Sequence, residues 1–255
     1  MQHFDTIIIG GGHNGLVCAN YLGKAGQKVI LLEASEKLGG LAATREFYPG
    51  FEVSVAHAIN QFPEKIVSDL NLIKFGYEQN SKSMKNIGLD IHGNHVVVSQ
   101  DEISGVEDKD AKQFKHYESS LKKLAKALEP FWMKKMPAIG GNTISEILTF
   151  AQIGLKLKLL GKKDMRELLR VASLPARDLM DENFDSDLLK ATLCWDALIG
   201  STQAPRSPNN SILTLLYRMA GIHHGHYTLP EGGVQSLIGS LTNAAKSVGV
   251  DIRCG

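Results

Sequence analysis

The sequence predicts an α/β fold, in which strand and helix patterns at both ends of the chain flank a largely helical middle. Three observations predict it. A strand–helix–strand pattern opens the chain, helical patterns fill most of residues 142–219, and a helix followed by a strand closes it. The chain has 255 residues, 43% of them hydrophobic, which suffices for one large domain or two modest ones.

The opening pattern is a βαβ unit. The segment FDTIIIG (residues 4–10) is typical of a buried strand that ends at glycine. The segment NGLVCANYLGKAG (14–26) predicts a helix that ends at Gly26. A second buried strand, 29–32, is followed directly by Glu33. Two such strands joined by a helix are parallel, with a right-handed crossover.

Glycines follow the first strand at the spacing Gly10-x-Gly12-x-x-Gly15. Gly10 permits a tight turn, Gly12 lets a diphosphate approach the backbone, and Gly15 lets the helix lie close to the sheet. The free N–H groups at the helix start then face the phosphates. Glu33 can accept both ribose hydroxyls of an adenosine and would repel a 2′-phosphate, which disfavours NADP. The context predicts a Rossmann-like dinucleotide-binding domain.

His13 and Asn14 stand at the start of this helix. One interpretation makes Asn14 a local helix cap and His13 a solvated loop residue. The other places both residues in contact with the diphosphate. We favour contact through the backbone over contact through either side chain.

A second glycine pair, Gly39-Gly40, follows Glu33 by six residues. A nicotinamide site does not need this pair. A longer cofactor does, because the chain must pass close to the diphosphate and to the sugar chain beyond it. The pair therefore favours FAD over NAD.

Residues 5–44 resemble the N-terminal FAD fingerprint of the flavin-dependent amine oxidase and phytoene desaturase superfamily. The segments GGGHNGL (10–16) and PGFEVSVAHAI (49–59) are most similar to its phytoene desaturase and carotenoid isomerase-like branch. That branch includes the pyridine nucleotide-disulphide oxidoreductase domain proteins. The resemblance implies a flavoprotein fold of the GR2 type, with a Rossmann-like FAD-binding domain and a largely helical cap that faces the substrate.

The resemblance also implies which residues bind FAD. They are Gly10, Gly12, His13, Asn14, Gly15, Glu33, Ala34, Lys37, Gly39, Gly40, Leu41, Ala56 and His57. Lys37 stands where relatives often carry arginine and would contact the ribose or the phosphates. Leu41 departs from the second arginine of the amine oxidase pattern, which disfavours that sub-branch. No catalytic residue and no metal ligand is assigned.

Residues 54–57 fall where the family's chain passes the isoalloxazine ring. Ser54 replaces an acid that is common in the desaturases, and His57 replaces a common proline. His57 could act as an acid or a base, but a packing or loop histidine is the interpretation we favour.

The middle of the chain begins with a predicted helix at 62–72. A hairpin is predicted around Gly93-Asn94, between two short apolar runs. Residues 108–136 predict an amphipathic helix that Pro130 kinks or stops near its end. Its apolar stripe is formed by Phe114, Tyr117, Leu121, Leu124 and Leu128.

Helical patterns then dominate, at 143–160, 163–173, 176–184, 186–198 and 209–219. The segment ISEILTFAQIGLKLKLLGKK (144–163) is unusually apolar and ends in lysines. It predicts either a peripheral contact with a membrane or a helix buried in the cap or at a dimer interface. We favour the buried helix, because most apolar helices belong to a core.

Three histidines, His223, His224 and His226, invite a metal hypothesis. Their spacing does not place them on one face of a strand or a helix, and no carboxylate or cysteine lies at a useful distance in sequence. We therefore expect a substrate-facing loop or strand rather than a metal site.

The chain closes with a turn at 230–233, an amphipathic helix at 234–247 and a strand. The turn resembles the family's "PxGG" return into the FAD domain, so the last strand is expected in the sheet of the first two. The predicted domains are 1–75 and 226–255 for FAD, and 76–225 for the cap. Since the family runs to roughly twice this length, we expect an N-terminal half, with a complementary C-terminal half or a homo-oligomer as partner.

Charge and composition exclude some functions. The 28 basic and 27 acidic side chains nearly balance, which disfavours nucleic acid as a partner. Three well-separated cysteines argue for a reducing compartment and against structural zinc. The sequence contains neither a signal peptide pattern nor an apolar run of membrane-spanning length, so we expect a cytoplasmic protein, peripheral to a membrane at most.

Three functional hypotheses follow from the sequence. The first is an FAD-dependent oxidoreductase, a desaturase, dehydrogenase or isomerase acting on an apolar small molecule. The second is a non-catalytic dinucleotide-binding or regulatory module. The third is a flavin amine oxidase, which Leu41 disfavours.

Overall fold

A computed structural model describes residues 3–56, 58–59, 62–78, 82–100, 102–134, 138, 140, 143–207, 211–220 and 225–255. The chain divides into two compact units. The first unit combines residues 1–84 with 227–255, and the second unit comprises residues 85–226. The sequence suggested boundaries after residues 75 and 225. The assignment of a cofactor role to one unit and a cap role to the other stays a prediction.

The strands and helices of the described residues follow in chain order. The strands are β1 (Thr6–Ile9), β2 (Val29–Glu33), β3 (Arg45–Tyr48), β4 (Phe51–Val53), β5 (Lys82–Ser83), β6 (Asn86–Gly88), β7 (Val96–Val98), β8 (Ile103–Ser104), β9 (Thr228–Leu229) and β10 (Asp251–Cys254). The helices are α1 (His13–Lys24), α2 (Glu64–Asp69), α3 (Asp108–Trp132), α4 (Ile144–Leu159), α5 (Gly161–Ser173), α6 (Ala176–Asn183), α7 (Asp187–Leu198), α8 (Ser211–Met219) and α9 (Gln235–Ser247). Short 3-10 turns lie at Gly40–Ala42 and Leu72–Phe75.

The first unit is organised by a parallel sheet in the order β1-β2-β10. Thr6 lies opposite Val29, and Asp251 lies opposite Ile30. Helix α1 connects β1 to β2, and α9 precedes β10. This arrangement confirms the predicted Rossmann-like βαβ unit and the return of the last strand to its sheet.

Helices α1 and α9 pack against each other in the core of the first unit. Leu16 and Leu241 are fully buried there, because the apolar positions of both helices recur at helical spacing. A buried amide joins the two helices: Asn20 Nδ2 donates to the carbonyl oxygens of Leu16, at 2.8 Å, and of Leu241, at 2.9 Å. Both bonds satisfy an amide that would otherwise be costly to bury.

The second unit is largely helical, as the sequence predicts. Its antiparallel sheet has the order β6-β7-β8, and the turn that joins β6 to β7 confirms the predicted hairpin. Helix α3 continues through Pro130 and ends two residues later at Trp132. The predicted stripe of α3 is buried at Phe114, Tyr117, Leu121 and Leu124, and Leu128 is partly buried against the same core.

Helix α4 departs from the prediction. None of its residues is buried, so the interpretation of this apolar segment as a helix buried in the cap is wrong. Thr143 and Glu146 form a capping box at its amino end, and Leu157 packs, partly buried, against the core of the second unit. A dimer interface is not tested by this structure. Among the described residues, no helix combines the length and the apolar character that crossing a bilayer requires.

Several short elements escape the sequence patterns. Strands β3 and β4 pair as a small antiparallel ribbon, and β5 pairs with β9 from the other end of the chain. The helix expected at 62–72 is shorter, at Glu64–Asp69, and a 3-10 turn follows it. These elements are two to six residues long, which is too short for a periodic pattern.

Candidate functional site

The turn from β1 into α1 depends on the absence of two side chains. Gly10 has a φ of +101°, a backbone conformation that L side chains rarely adopt. A Cβ on Gly15 would lie 2.0 Å from the Gly10 carbonyl oxygen. The helix can therefore start this close to the strand only with glycine at both positions, as the spacing predicts.

Gly12 is the N-cap of α1, with extended backbone at φ −72° and ψ 174°. In the described part of the chain no side chain caps this end, and the first turn carries no acidic residue. The alternative in which Asn14 caps the helix is therefore wrong; Asn14 and His13 are both exposed on the first turn. The N–H groups of this turn lack intrahelical partners, which leaves a positive end suited to an anion.

The second glycine turn lies directly beside the first. The Gly39 N–H donates to the Gly11 carbonyl oxygen at 2.9 Å, and Gly12 and Gly39 pair as a parallel bridge. A Cβ on Gly40 would stand 3.4 Å from the Gly12 Cα. The structure thus brings together two segments that are separated by more than twenty residues in the sequence. A Cβ built on Gly12 would be in ordinary contact with the Gly40 Cα, at 3.9 Å.

Glu33 holds the first turn from the tip of β2. Its Oε2 accepts a hydrogen bond from the Gly11 N–H at 2.7 Å, and its Oε1 accepts one from the Ser35 N–H at 2.9 Å. These backbone donors, that of Ser35 first, lower the pKa of the Glu33 carboxyl. Each carboxylate oxygen keeps a second lone pair for a further donor, such as a ribose hydroxyl.

Gly11 was not singled out in the sequence, yet it is packed most tightly of the three consecutive glycines. A Cβ on Gly11 would lie 2.3 Å from Leu38 Cδ2 and 3.2 Å from the Glu33 Cβ. Only the fold brings Leu38 against this turn, so spacing alone could not reveal the constraint.

A polar cleft of about 330 Å³ lies next to the second glycine turn. Its lining comprises Ser35, Glu36, Lys37, Gly40, Ala43, Thr44 and Arg45. Lys37 was predicted as a phosphate or ribose contact, whereas Arg45 was missed. Arg45 begins β3. The sequence pattern does not predict this strand, so it gave no sign that Arg45 lies beside Lys37. Two cations against one carboxylate, Glu36, give this cleft a positive balance that suits an anionic ligand.

The remaining predicted residues are Ala34, Leu41, Ala56 and His57. The Ala56 N–H donates to the Leu41 carbonyl oxygen at 2.9 Å, so these two residues are brought together. The Leu41 side chain is 70% exposed, and Ala34 is exposed as well. His57 lies outside the described residues.

Among the residues that the structure describes, the histidines near residue 225 form no metal site. His223 and His224 lie outside the described residues. His226 Nε2 is 3.0 Å from Glu118 Oε1, an oxygen that also pairs with Lys122 Nζ at 3.1 Å. Within the described ranges, no group of three or more histidine, cysteine or acidic side chains could hold a metal ion.

Comparison with known proteins agrees with this geometry. Residues 8–69 match the family described as NAD(P)-binding Rossmann-like domain. The chain is 29% identical to pyridine nucleotide-disulfide oxidoreductase domain-containing protein 2 of Rattus norvegicus, over 98% of this chain and 47% of the relative. It is 27% identical to one of the subunits of limonene dehydrogenase from Castellaniella defragrans, over 99% of this chain and 44% of the relative.

Among solved structures, a triple mutant of putrescine oxidase superposes with a TM-score of 0.58 at 16% identity, over 98% of this chain and 50% of that chain. At this identity the likeness concerns the fold. The chain spans about half the length of the curated relatives it matches. Residues 8–69 are thus similar to NAD(P)-binding Rossmann-like domains, and the chain as a whole is similar to part of a pyridine nucleotide-disulfide oxidoreductase domain protein.

Proposed function

We propose that the chain belongs to an FAD-dependent oxidoreductase of the phytoene desaturase-related type, acting on a lipophilic organic substrate. The observation that carries this proposal is the contact between the two glycine turns, Gly11–Gly12 and Gly39–Gly40, at the uncapped start of α1. A single glycine turn suits any dinucleotide. The second turn extends the backbone surface along the direction that a longer cofactor would need.

The residues present suit such a cofactor. The backbone at Gly12 and the free N–H groups of α1 would take the diphosphate; the nearest atom to a Cβ built on Gly12 is the Gly40 Cα, at 3.9 Å. Glu33 would accept the hydroxyls of the adenosine ribose. Lys37 and Arg45 would balance the charge of the phosphates from the neighbouring cleft. When bound, the flavin supplies the capacity to accept a hydride from a substrate C–H bond.

An apolar substrate is supported by two observations. The limonene dehydrogenase relative is named for a hydrocarbon, and this chain matches it over 99% of its length. The exposed Leu41 side chain adds apolar surface beside the predicted cofactor site.

Amine oxidation is a second candidate. The chain shares only the fold with putrescine oxidase, and Leu41 stands where the amine oxidase pattern carries arginine. A non-catalytic dinucleotide-binding module is the third candidate, because the glycine turns alone would serve it equally well.

The proposal is tested first with ADP-ribose, because this ligand contains the diphosphate and the adenosine ribose but no flavin. We expect saturable binding in a calorimetric titration, and a preference of at least about tenfold over 2′-phospho-ADP-ribose, since Glu33 repels the extra phosphate. Glu33→Gln should reduce that preference. Equal affinity for both ligands, or binding of neither, would contradict the proposed site.

Flavin reconstitution then separates the candidates. Yellow protein that keeps its visible absorption through gel filtration, and is bleached by dithionite, supports the oxidoreductase. Release of hydrogen peroxide with amines would favour the amine oxidase. Protein that binds ADP-ribose but stays colourless with FAD would favour the non-catalytic module.

A further inference from the structure

The parallel sheet of the first unit has one face toward α1 and α9. Four strand residues belong to the core on that side or pack against it: Ile8, Val29, Leu31 and Ile252. Side chains alternate along a strand, so the residues between these four point to the opposite side. We call that side the outer face; its described strand residues are Ile7, Ile9, Ile30, Leu32, Asp251 and Arg253. Among these six residues, Ile30 alone is buried.

The outer face is apolar and exposed on the β1 side. Ile7 is 62% exposed and Ile9 is 87% exposed, and Leu32, which lies opposite Ile9 on β2, is 38% exposed. The β10 side is charged instead: Arg253 Nη2 pairs with Asp251 Oδ2 at 2.8 Å. Charged side chains protect a sheet edge against another strand. Strand β1, with the sequence TIII, carries no such protection.

The backbone of β1 is paired along one edge. Thr6 and Gly10 direct their N–H groups toward β2, and the Gly10 N–H donates to the Leu32 carbonyl oxygen at 2.8 Å. Successive residues of a strand direct their backbone groups to opposite sides, so Ile7 and Ile9 direct theirs away from β2. Within the described ranges, β2 is the one strand that pairs with β1. The open edge therefore combines unpaired backbone groups with exposed isoleucine side chains.

We propose that the open edge of β1 and the apolar part of the outer face bind an extended strand, supplied by the part of the relatives' length that this chain does not span. The backbone of that strand would pair with Ile7 and Ile9, and its apolar side chains would cover theirs. This inference concerns the assembly of the first unit and does not rest on the proposed cofactor.

The unpaired backbone groups distinguish between the possible occupants. Lipid offers no hydrogen bonds, and open sheet edges do not occur in the hydrocarbon layer of a membrane. A second copy offers the same strand, but a twofold axis would set the two β1 strands antiparallel in a sheet whose described strands are parallel. A further parallel strand keeps the sheet uniform, and parallel sheets are normally covered on both faces.

The length of the relatives indicates where such a strand comes from. Nearly the whole chain matches 47% of the Rattus norvegicus relative and 44% of the limonene dehydrogenase subunit. The putrescine oxidase structure likewise accommodates 98% of this chain in 50% of its own length. Each of these proteins therefore has about as much polypeptide again, which is enough to cover an apolar face that this half leaves exposed.

The first measurement is hydrogen exchange of the 255-residue chain alone, followed by nuclear magnetic resonance without any nucleotide. We expect the amides of Ile7 and Ile9 to exchange at least about tenfold faster than the amide of Ile8, which faces β2. Light scattering should give the mass of a monomer. Protection of both amides in the monomer would overturn the proposal, because the edge would already be paired. A dimer that protects them, and that Ile9→Lys dissociates, would overturn it in favour of a second copy.

The second measurement uses the part of the Rattus norvegicus relative outside the match, co-expressed with this chain as a separate polypeptide. We expect the two polypeptides to copurify, with exchange of the Ile7 and Ile9 amides slowed at least about tenfold. Failure to copurify, or a complex that leaves both amides unprotected, would overturn the proposal. Binding of ADP-ribose by this chain is measured separately, so either proposal can fail without the other.

Three variants show whether the complex depends on β1. Ile9→Lys should weaken it at least about tenfold, because it places a charge beside the open edge. Ile9→Val keeps a β-branched side chain and should stay within about threefold of the wild type. Ile73→Lys is the matched control, since Ile73 is as exposed as Ile7, at 62%, in the same unit but outside the sheet. Equal losses with Ile9→Lys and Ile73→Lys, or no loss with either, would overturn the proposal.

Discussion

The glycine turns of the first unit and helix α4 of the second unit differ in what determines them. Each glycine turn is determined by its own backbone: Gly10 needs a positive φ, and Gly15 needs to lack a Cβ. Helix α4 also forms locally, through its capping box, but the exposure of its apolar residues depends on what packs against it. The backbone requirement was recognised from residue type and spacing, whereas the exposure of the α4 residues was not.

The same difference explains why one feature was predicted and the other was not. The spacing Gly10-x-Gly12-x-x-Gly15 has one structural meaning in its strand–helix context. The apolar pattern of α4 has several possible structural meanings, because a protein core, a membrane and a protein partner all favour apolar residues. The following substitutions test this contrast.

The largest expected effect compares a buried with an exposed leucine. Leu241→Ala should lower the free energy of unfolding by about 2–5 kcal/mol, because it leaves a cavity between α1 and α9. Leu155→Ala in α4 should change it by less than about 0.5 kcal/mol, as for a surface position. Urea denaturation followed by circular dichroism measures both.

The tryptophans allow the two units to be followed separately. Trp132 and Trp195 are the two tryptophans of the chain, and both belong to the second unit. Their fluorescence should therefore report unfolding of the second unit, while circular dichroism reports both. A loss of several kcal/mol with Leu155→Ala would show that Leu155 is buried after all.

A second pair makes the same chemical change in both regions. Gly15→Ala should destabilise the first unit by about 1–3 kcal/mol, because the new Cβ would meet the Gly10 carbonyl oxygen at 2.0 Å. Gly154→Ala should stabilise α4 by about 0.5–1 kcal/mol, since the new Cβ has nothing within 4 Å and alanine favours the helix. The signs should therefore be opposite in urea denaturation. Equal signs would refute the distinction between a packed turn and an open helix.

The smallest effect concerns the pH dependence of Glu33. Its pKa in the folded protein lies below the ordinary value of 4.5, so the charged carboxylate stabilises the fold above pH 4.5. That contribution is lost as the pH falls through the lowered pKa. The wild type should therefore exceed Glu33→Gln in stability at neutral pH, and the two should converge in acid. A difference that does not change with pH would indicate that the hydrogen bonds to Gly11 and Ser35 do not depend on the charge.

Much of the fold follows from local patterns. The βαβ unit, the hairpin near Gly93, and α9 with its strand β10 were predicted within a few residues of their bounds. The β3–β4 ribbon and the β5–β9 pair were not, because these strands are two to four residues long and β5 pairs with a distant segment.

The residues of the candidate site also divide into those that the sequence could predict and those that it could not. The residues that form the first turn and Glu33 could be named from spacing, because a dinucleotide requires a fixed arrangement of strand, turn and helix. The packing of Gly11 against Leu38 and the place of Arg45 beside Lys37 could not, since both depend on how the second glycine turn folds back.

The central claim, that a diphosphate lies over Gly12 at the start of α1, is tested most directly by binding of ADP-ribose to Gly12→Val. The extended backbone at Gly12 tolerates valine, and the Cβ would make only an ordinary contact with the Gly40 Cα, at 3.9 Å, so the unfolding midpoint should stay close to that of the wild type. The side chain would then occupy the space of the phosphates. We predict that affinity falls at least about tenfold in calorimetric titration. Unchanged affinity in the folded variant would contradict the account.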